Sequence, residues 1–151
     1  MRTVWVEATS ERRRMVNPRK AYPVDPGLIP VFDRSGRANL GRAVETAVRV
    51  ELERRGVSVT YVRTLEGHEV DFLARRAGGE TELIQVSADL DDPATREREA
   101  RALLAAAAEY PGAGLHLITL TPESVQGLPA EIAVHPAARW FLSGEAAGVR
   151  T

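Results

Sequence analysis

Two segments of the chain carry apolar residues at the three- and four-residue spacing of an amphipathic helix. The first segment, residues 39–55, ends before Gly56, a residue that favours helix termination. The second begins at Asp92, which can cap a helix, followed by Pro93, and it ends before Pro111. The apolar stripes are Leu40, Val44, Ala47, Val48 and Leu52 in the first helix and Leu103, Leu104, Ala107 and Ala108 in the second.

Segments that are rich in β-branched residues or alternate in polarity predict strands. Three strands are expected between the two helices, at residues 57–63, 69–75 and 81–87, with Gly78-Gly79 as the hairpin turn between the last two. Residues 115–120 are expected as a buried strand after the second helix. Further expected elements are a first strand at Val4–Ala8, extended pieces and turns across the proline-rich residues 17–33, an edge strand at Ile132–His135 and a helical turn at Ala137–Leu142.

This order of elements predicts an α/β fold. Helix, three strands, helix, strand is the αβββαβ core of restriction-endonuclease-like proteins, in which two helices flank a mixed sheet. The strand–helix–strand unit around the second helix predicts a parallel pair with a right-handed crossover. The length of 151 residues suits one domain, expected over residues 1–142 with a truncated N-terminal part, followed by a disordered tail at residues 143–151.

Composition narrows the range of functions. Apolar residues make up 44% of the chain and charged residues 27%, the formal net charge is −1, and cysteine is absent, which together indicate a cytoplasmic globular protein. No apolar run approaches the roughly 20 residues of a membrane helix, so no membrane partner is expected. The chain has no Gly-Lys-[Ser/Thr] string for binding phosphates, which argues against an ATPase and against a nucleotide cofactor.

Positive charge is concentrated in residues 12–20, and Lys20 is the only lysine of the chain. Any mechanism that needs a lysine therefore has one candidate. A basic stretch of this kind is either a solvated surface or a site of phosphate contact, in which case DNA is a partner. The nucleic-acid-binding candidates are Arg12, Arg13, Arg14, Arg19 and Lys20.

The predicted hairpin brings polar residues together if its turn is centred on Gly78. Asp71 is then opposite Gln85, and Glu69 is opposite Ser87, since residues at equal distances from the turn lie opposite each other. Because side chains alternate along a strand, these four side chains share one polar face. The opposite, core-building face is expected to carry Val70, Phe72, Ile84 and Val86.

Oxygen ligands on neighbouring strands suit a hard divalent cation such as Mg²⁺ or Mn²⁺. Glu69 supplies a further carboxylate from the hairpin, and Glu45 supplies another from beside the buried stripe of the first helix. A metal ion held there lowers the pKa of a bound water and neutralises charge during phosphodiester hydrolysis. The expected metal ligands are Asp71, Glu69 and Glu45, and the expected catalytic residues are Asp71, Gln85 and Glu45.

Four runs of sequence stand in a consistent order across about residues 17–142: NPRKAYPVDPGL (17–28), GRAVETAVRVELERRG (41–56), YVRTLEGHEVDFLARR (61–76) and ELIQVSADLDDPATREREARALL (82–104). In these runs the chain resembles the C-terminal domain of unknown function that follows many prokaryotic AAA-type ATPase modules. The resemblance implies a PD-(D/E)XK nuclease-like fold. By position, Glu45 matches the helix acid, Asp71 the motif aspartate, and residues 85–87 the (D/E)-X-K tripeptide.

The tripeptide departs from the nuclease pattern, since Gln85 replaces an acid and Ser87 replaces the lysine. Glu69 can compensate for the lost acid. The lost positive charge requires Arg49 or Lys20 to approach from another element, and arginine is a poor proton donor or acceptor because its pKa is above about 12.

Simpler roles are also open for several of these residues. Glu45 and Arg49 are four apart and can form a helix-surface ion pair, and Gln85 can act only as a hydrogen-bonded partner of Asp71. The histidines are far apart in sequence and are expected not to pair at metal-ligand spacing. They are His68, His116 and His135.

The sequence leaves three functions open. The first is a degenerate nuclease-like domain, a metal-dependent phosphodiesterase that is weakly active or inactive. The second is a non-enzymatic module that binds DNA, docks on an AAA-type ATPase or associates with itself. The third is a remnant of a larger protein with no retained function.

Overall fold

The computed structural model describes residues 1–25, 27, 38–121 and 125–143. These residues form an α/β protein with four helices and seven strands. The helices are α1 (Glu11–Val16), α2 (Ala38–Arg54), α3 (Pro93–Glu109) and α4 (Ala137–Leu142). The strands are β1 (Arg2–Val4), β2 (Lys20–Tyr22), β3 (Ser58–Arg63), β4 (Glu69–Arg75), β5 (Thr81–Ser87), β6 (Gly114–Thr119) and β7 (Ile132–Pro136).

Five strands form a mixed sheet in the order β3-β4-β5-β6-β7. The pairs β3–β4 and β4–β5 are antiparallel, whereas β6 lies parallel to both β5 and β7. The strands β1 and β2 form a separate antiparallel pair. The chain just after β1 runs along the outer edge of β3, where the N–H of Tyr61 donates to the carbonyl of Trp5 at 2.9 Å and Val6 forms a single parallel bridge with Tyr61.

Two apolar clusters cover the two faces of the sheet. On the first face, the α2 side, Val48 and Leu52 of α2 pack with sheet residues such as Phe72 and Ile84. On the second, the α3 side, Leu103 and its neighbours in α3 pack with sheet residues that include Val70, Leu73, Leu83 and Leu117. Complete burial of each large apolar side chain contributes about 1.5–3 kcal/mol, so these clusters fix both helices against the sheet.

Most of the predicted elements are confirmed within one or two residues. The side chain of Asp92 caps α3 by accepting from the N–H groups of Ala94 and Thr95 at 3.1 and 3.3 Å. The edge strand β7 and the short helix α4 are present as predicted. The predicted strand at residues 4–8 is wrong in its bounds, because β1 is paired only at Arg2–Val4 and the following residues turn toward β3.

The predicted hairpin register is confirmed over its regular part, where Phe72 lies opposite Ile84 and Arg75 lies opposite Thr81. The N–H of Arg76 donates to the carbonyl of Glu80 at 2.9 Å, which closes the turn. Most of the predicted irregular segment 17–33 after residue 25, and the predicted tail from residue 144 onward, lie outside the described residues.

The strand β4 contains a bulge that the alternating pattern did not predict. Thr60 of β3 lies opposite Leu73, whereas Val62 lies opposite Val70, so that Asp71 and Phe72 together face a single residue of β3. An extra residue of this kind interrupts the alternation of side chains. Accordingly, Val70 joins the core on the α3 side and Phe72 joins the core on the α2 side. The prediction that these two residues share a face is therefore wrong.

None of the helices in the part of the chain that the structure describes has both the length and the apolar character needed to cross a membrane.

Candidate metal and nucleic acid site

The only lysine of the chain lies among three carboxylates. Its ammonium nitrogen is 2.7 Å from Oε1 of Glu69, 3.0 Å from Oδ1 of Asp71 and 3.5 Å from Oε1 of Glu45. The four residues come from β2, β4 and α2, and we refer to them together as the Lys20 cluster. Of the two cations that the sequence offered, Arg49 and Lys20, it is Lys20 that contacts these acids.

The bulge in β4 accounts for the direction of the Asp71 side chain. Because the extra residue breaks the alternation, Asp71 and Phe72 both point to the α2 side, where Lys20 and Glu45 lie. The second carboxylate oxygen of Asp71 accepts from the N–H of Val86 at 3.0 Å. This hydrogen bond takes the place of a backbone–backbone hydrogen bond between β4 and β5, and it fixes the orientation of the carboxylate.

Tyr22 supports the cluster from the same strand as Lys20. The two residues are two positions apart on β2, so that their side chains leave the strand on the same face. The hydroxyl of Tyr22 donates to Oε1 of Glu45 at 2.6 Å, and its ring contacts the ring of Phe72 at a centroid distance of 5.9 Å. Sequence reasoning missed Tyr22, although its spacing from the single lysine was a usable signal.

Within the cluster, Asp71 is buried, with 9% of the residue exposed. The side chain of Glu69 is 48% exposed, and we refer to its side of the cluster as the open end. Burial and the charge of Glu45 raise the pKa of Asp71 to about 7, although Lys20 and the Val86 N–H lower it. Burial by itself lowers the pKa of Lys20, but the surrounding carboxylates outweigh burial and raise it above its ordinary value. Burial and the adjacent Glu45 raise the pKa of Tyr22 as well.

Gln85 does not share a face with Asp71, and the prediction that it does is wrong. Its amide nitrogen donates to Oε2 of Glu99 on α3 at 2.6 Å, which places the side chain on the α3 side. Its amide oxygen accepts from the backbone N–H of Asp71 at 3.0 Å. The physical reason is the bulge, which reverses the direction of Asp71 while β5 continues to alternate regularly. Gln85 is thus a hydrogen-bonded partner of the Asp71 backbone.

The neighbours of Gln85 complete this correction. The residues on either side of Gln85 in β5, Ile84 and Val86, point to the α2 side and are apolar. The hydroxyl of Ser87 donates to the carbonyl of Asp89 at 2.9 Å. The predicted tripeptide therefore contributes no acid and no cation to the Lys20 cluster, and only the N–H of Val86 reaches Asp71.

The ion pair between Glu45 and Arg49 that the sequence allowed is not formed. Arg49 pairs with Glu53 at 3.5 Å, one turn further along α2. Glu45 contacts Lys20 and Tyr22 instead.

The predicted nucleic-acid-binding residues separate into two groups. Arg12, Arg13 and Arg14 are exposed on α1, and a guanidinium N–H of Arg13 donates to the carbonyl of Arg63 at 3.3 Å. Because Arg63 lies opposite Glu69 in the sheet, this basic helix adjoins the open end of the Lys20 cluster.

The remaining two candidates are held by side-chain contacts, although Arg19 is an exposed residue. The guanidinium of Arg19 stacks on the ring of Trp5 at 3.7 Å from its centroid. The ammonium of Lys20 is held within the cluster.

Two histidines lie side by side on neighbouring strands, and the prediction that they do not pair is wrong. Nδ1 of His116 is 2.9 Å from Nε2 of His135, and Glu82 lies 3.8 Å from the other nitrogen of His116. Parallel pairing of β6 with β7 brings these residues together despite their separation in sequence. Burial lowers the pKa of both rings, and each ring is close enough to the other to disfavour protonation of both.

Within the described ranges, no three histidine or acidic side chains stand in the arrangement of a ready-formed metal site. In the Lys20 cluster the ammonium group occupies the space between the acids. Comparison with known proteins gives no relative, since no family model, no curated protein and no solved structure matches the chain.

Proposed function

We propose that this chain has the restriction-endonuclease-like core of the PD-(D/E)XK superfamily, as in the C-terminal domains of prokaryotic AAA-type ATPases. We further propose that it hydrolyses phosphodiester bonds of nucleic acid weakly, with a divalent metal ion at the Lys20 cluster. The order of α2, β3, β4, β5, α3 and β6 supports the fold. The convergence of the single lysine with three acids supports the activity.

The observation that carries the proposal is the energetic cost of the Lys20 cluster. Moving charges out of water costs several kcal/mol per ion unless they are paired and hydrogen-bonded. An apolar residue at the position of Asp71 would avoid that cost, yet the chain has a bulge, a buried aspartate and its only lysine there. Departures from local structural rules are expected at functional sites.

The residues present fit a hard cation. The three acids offer the oxygen ligands that Mg²⁺ and Mn²⁺ prefer, and their oxygens already surround one positive group at 2.7–3.5 Å. Asp71, Glu69 and Glu45 would hold the ion, and Lys20 would move aside from the centre of the acids. When bound, the ion supplies an activated water at neutral pH and stabilises negative charge on the phosphate.

The residues of the chain then have separate roles. Lys20 supplies the positive charge beside the attacked phosphate that Ser87 cannot supply, because its ammonium lies next to the acids that bind the ion. Tyr22 keeps Glu45 in position through its 2.6 Å hydrogen bond. The exposed arginines of α1 bind phosphates of the substrate backbone beside the open end of the cluster.

The test is cleavage of supercoiled plasmid and of single-stranded DNA in Mg²⁺ or Mn²⁺, with EDTA as the metal-free control. Asp71→Asn is expected to abolish cleavage, because it removes the charge of the buried ligand at nearly constant shape. Glu80→Gln is the matched control, a loss of one carboxylate charge at an exposed turn position, and it is expected to cleave like the unaltered protein. Cleavage that survives Asp71→Asn would remove the proposed site.

A second candidate function is binding of DNA or of an AAA-type ATPase without catalysis. One observation favours it: Lys20 already neutralises part of the acidic charge, and both oxygens of Asp71 are hydrogen-bonded. A module that binds DNA would bind it equally well in EDTA and would cleave neither substrate, whereas a module that docks on an ATPase would neither bind nor cleave DNA. A mobility-shift assay run alongside the cleavage assay separates the two functions.

A further inference from the structure

A chain of hydrogen bonds crosses the sheet from α3 to the Lys20 cluster. Glu99 of α3 accepts from the side-chain amide of Gln85, and the oxygen of that amide accepts from the N–H of Asp71. Gln85 and Glu99 are only 8% and 7% exposed. On the other side of the sheet, the Asp71 carboxylate binds Lys20.

The Asp71 N–H needs this partner because of the bulge. Regular pairing between β4 and β5 runs only from Phe72 opposite Ile84 toward the turn. Beyond that point the strands exchange side-chain bonds, in which Gln85 accepts from the Asp71 N–H and Asp71 accepts from the Val86 N–H. A buried N–H without an acceptor is strongly disfavoured, so Gln85 supplies what the interrupted ladder lacks.

Glu99 determines which way the amide of Gln85 points. A carboxylate only accepts hydrogen bonds, so the nitrogen of the amide must face Glu99. The oxygen must then face the Asp71 N–H. Glu99 is held in turn by Arg98, whose guanidinium is 2.7 Å from Oε1. We refer to the hydrogen-bonded chain from Glu99 through Gln85 to the Asp71 N–H as the relay. Each polar atom of the relay can act there only as a donor or only as an acceptor.

We propose that Gln85 and Glu99 are positioning residues that hold the β4 bulge and thereby direct the Asp71 carboxylate to Lys20. They act from the far side of the sheet and touch neither the proposed metal ion nor a substrate. The consequence for metal binding rests on the proposed function, whereas the effect on the bulge does not.

The primary experiment is residue-resolved hydrogen exchange of the intact chain. Gln85→Leu is expected to accelerate exchange of the Asp71 N–H by at least about tenfold, because removal of its acceptor exposes it to local opening. Exchange at residues 73–75, in the regular part of the hairpin, is expected to change less. Gln126→Leu, the same substitution at an exposed position, is the control. If Gln85→Leu does not fold, Gln85→Asn replaces it, since its amide is too short to span both contacts.

The reciprocal exchange of the two side chains tests the relay itself. Gln85→Glu alone places two carboxylates at 2.6 Å and is expected to weaken the bulge. Adding Glu99→Gln restores a donor facing an acceptor, and a carboxylate at position 85 still accepts from the Asp71 N–H. The double variant is therefore expected to recover slow exchange at Asp71. Unchanged exchange in the position-85 variant that folds, or no recovery in the double variant, would overturn the proposal.

Metal affinity provides a second measurement of the proposed positioning role of Gln85 and Glu99. Supporting residues of metal ligands typically change metal affinity by 10–100-fold, so the Mn²⁺ affinity of folded Gln85→Asn and of Gln85→Glu is expected to fall by about tenfold. The double variant is expected to recover the affinity that Gln85→Glu loses. If the unaltered protein binds no Mn²⁺ and cleaves no DNA, the proposed function fails. The exchange result at Asp71 still decides whether the relay holds the bulge.

Discussion

The ammonium group of Lys20 lies 3.0 Å from Oδ1 of Asp71, although the two residues are 51 positions apart in the sequence. The contact joins the small β1–β2 sheet to the bulge of the large sheet. The ion pair has two possible roles: it can hold the two sheets together, or it can be part of a site for a divalent cation. The two roles predict different effects of metal ions on stability when the lysine is replaced.

Lys20→Met is expected to lower the free energy of unfolding by about 3 kcal/mol, because it leaves partly buried carboxylates without their cation. Chemical denaturation in EDTA measures the change. Arg12→Met is the control, since it removes one positive charge from an exposed position, and a change within about 0.5 kcal/mol is expected.

Added metal ions distinguish a cation site from a purely structural ion pair in the Lys20→Met variant. If the cluster is a cation site, millimolar Mg²⁺ or Mn²⁺ will restore a large part of the stability of Lys20→Met and will have a smaller effect on the unaltered protein. A variant that is destabilised equally with and without these ions would indicate a structural tie alone.

The support that Tyr22 gives to Glu45 can be tested by Tyr22→Phe. The substitution removes one hydrogen bond to a carboxylate and is expected to cost about 1.5–3 kcal/mol of stability. If Glu45 binds the metal, cleavage at saturating DNA is also expected to need more Mn²⁺. Tyr110→Phe, a hydroxyl removal outside the cluster, is the control for both measurements. An unaltered Mn²⁺ requirement would exclude a role for Tyr22 in the site.

The α/β class and the order of helices and strands were predictable, because the determinants of these elements are local. The helical stripe around Val48, the cap at Asp92 and the glycine turn at Gly78-Gly79 each specify an element, and the turn also set the hairpin register. These signals depend on a few neighbouring residues, so one sequence suffices to detect them.

The site was only partly predictable, because a bulge leaves no mark in the pattern of polarity. Regular alternation placed Asp71 and Gln85 on one face, and one extra residue in β4 put them on opposite faces. The partners of Asp71 also come from distant segments, as Lys20 does. The same limit explains the paired histidines, which only the parallel pairing of β6 and β7 brings together.

The arginines of α1 are expected to bind phosphates. Replacing Arg12, Arg13 and Arg14 with glutamine should weaken binding to duplex DNA at every sequence tested. The slope of log affinity against log salt should fall by about 0.9 for each phosphate that is no longer neutralised. Arg101→Gln, an exposed charge on α3, is the control and is expected to leave the slope unchanged. Equal slopes for the triple variant and the control would place the DNA-binding surface elsewhere.

The pair of His116 and His135 is expected to make folding sensitive to acid. Burial and mutual proximity lower the pKa of both rings in the folded state, so the unfolded chain takes up protons first as the pH falls below 6.5. The stability that the neutral pair contributes is present above that pH and is lost as the pH falls toward the folded-state values.

The measurement is thermal unfolding between pH 7.5 and pH 5 for the unaltered protein and for a variant with both histidines changed to asparagine. The decrease in stability on acidification should be smaller in the variant. Asp71 has a raised pKa and acts in the opposite sense, but it is common to both proteins and cancels in the comparison. Parallel profiles would show that the pair does not titrate in this range.

Anomalous diffraction from crystals grown with Mn²⁺ decides whether Lys20, Glu45, Glu69 and Asp71 form one cation site. We expect one peak bound by oxygens of Asp71 and at least one of the two glutamates, with the ammonium of Lys20 displaced from between them. The same crystals of Asp71→Asn should lack the peak. Maps that show Lys20 still between the acids, and no manganese at the cluster in saturating Mn²⁺, would contradict a cation site at this position.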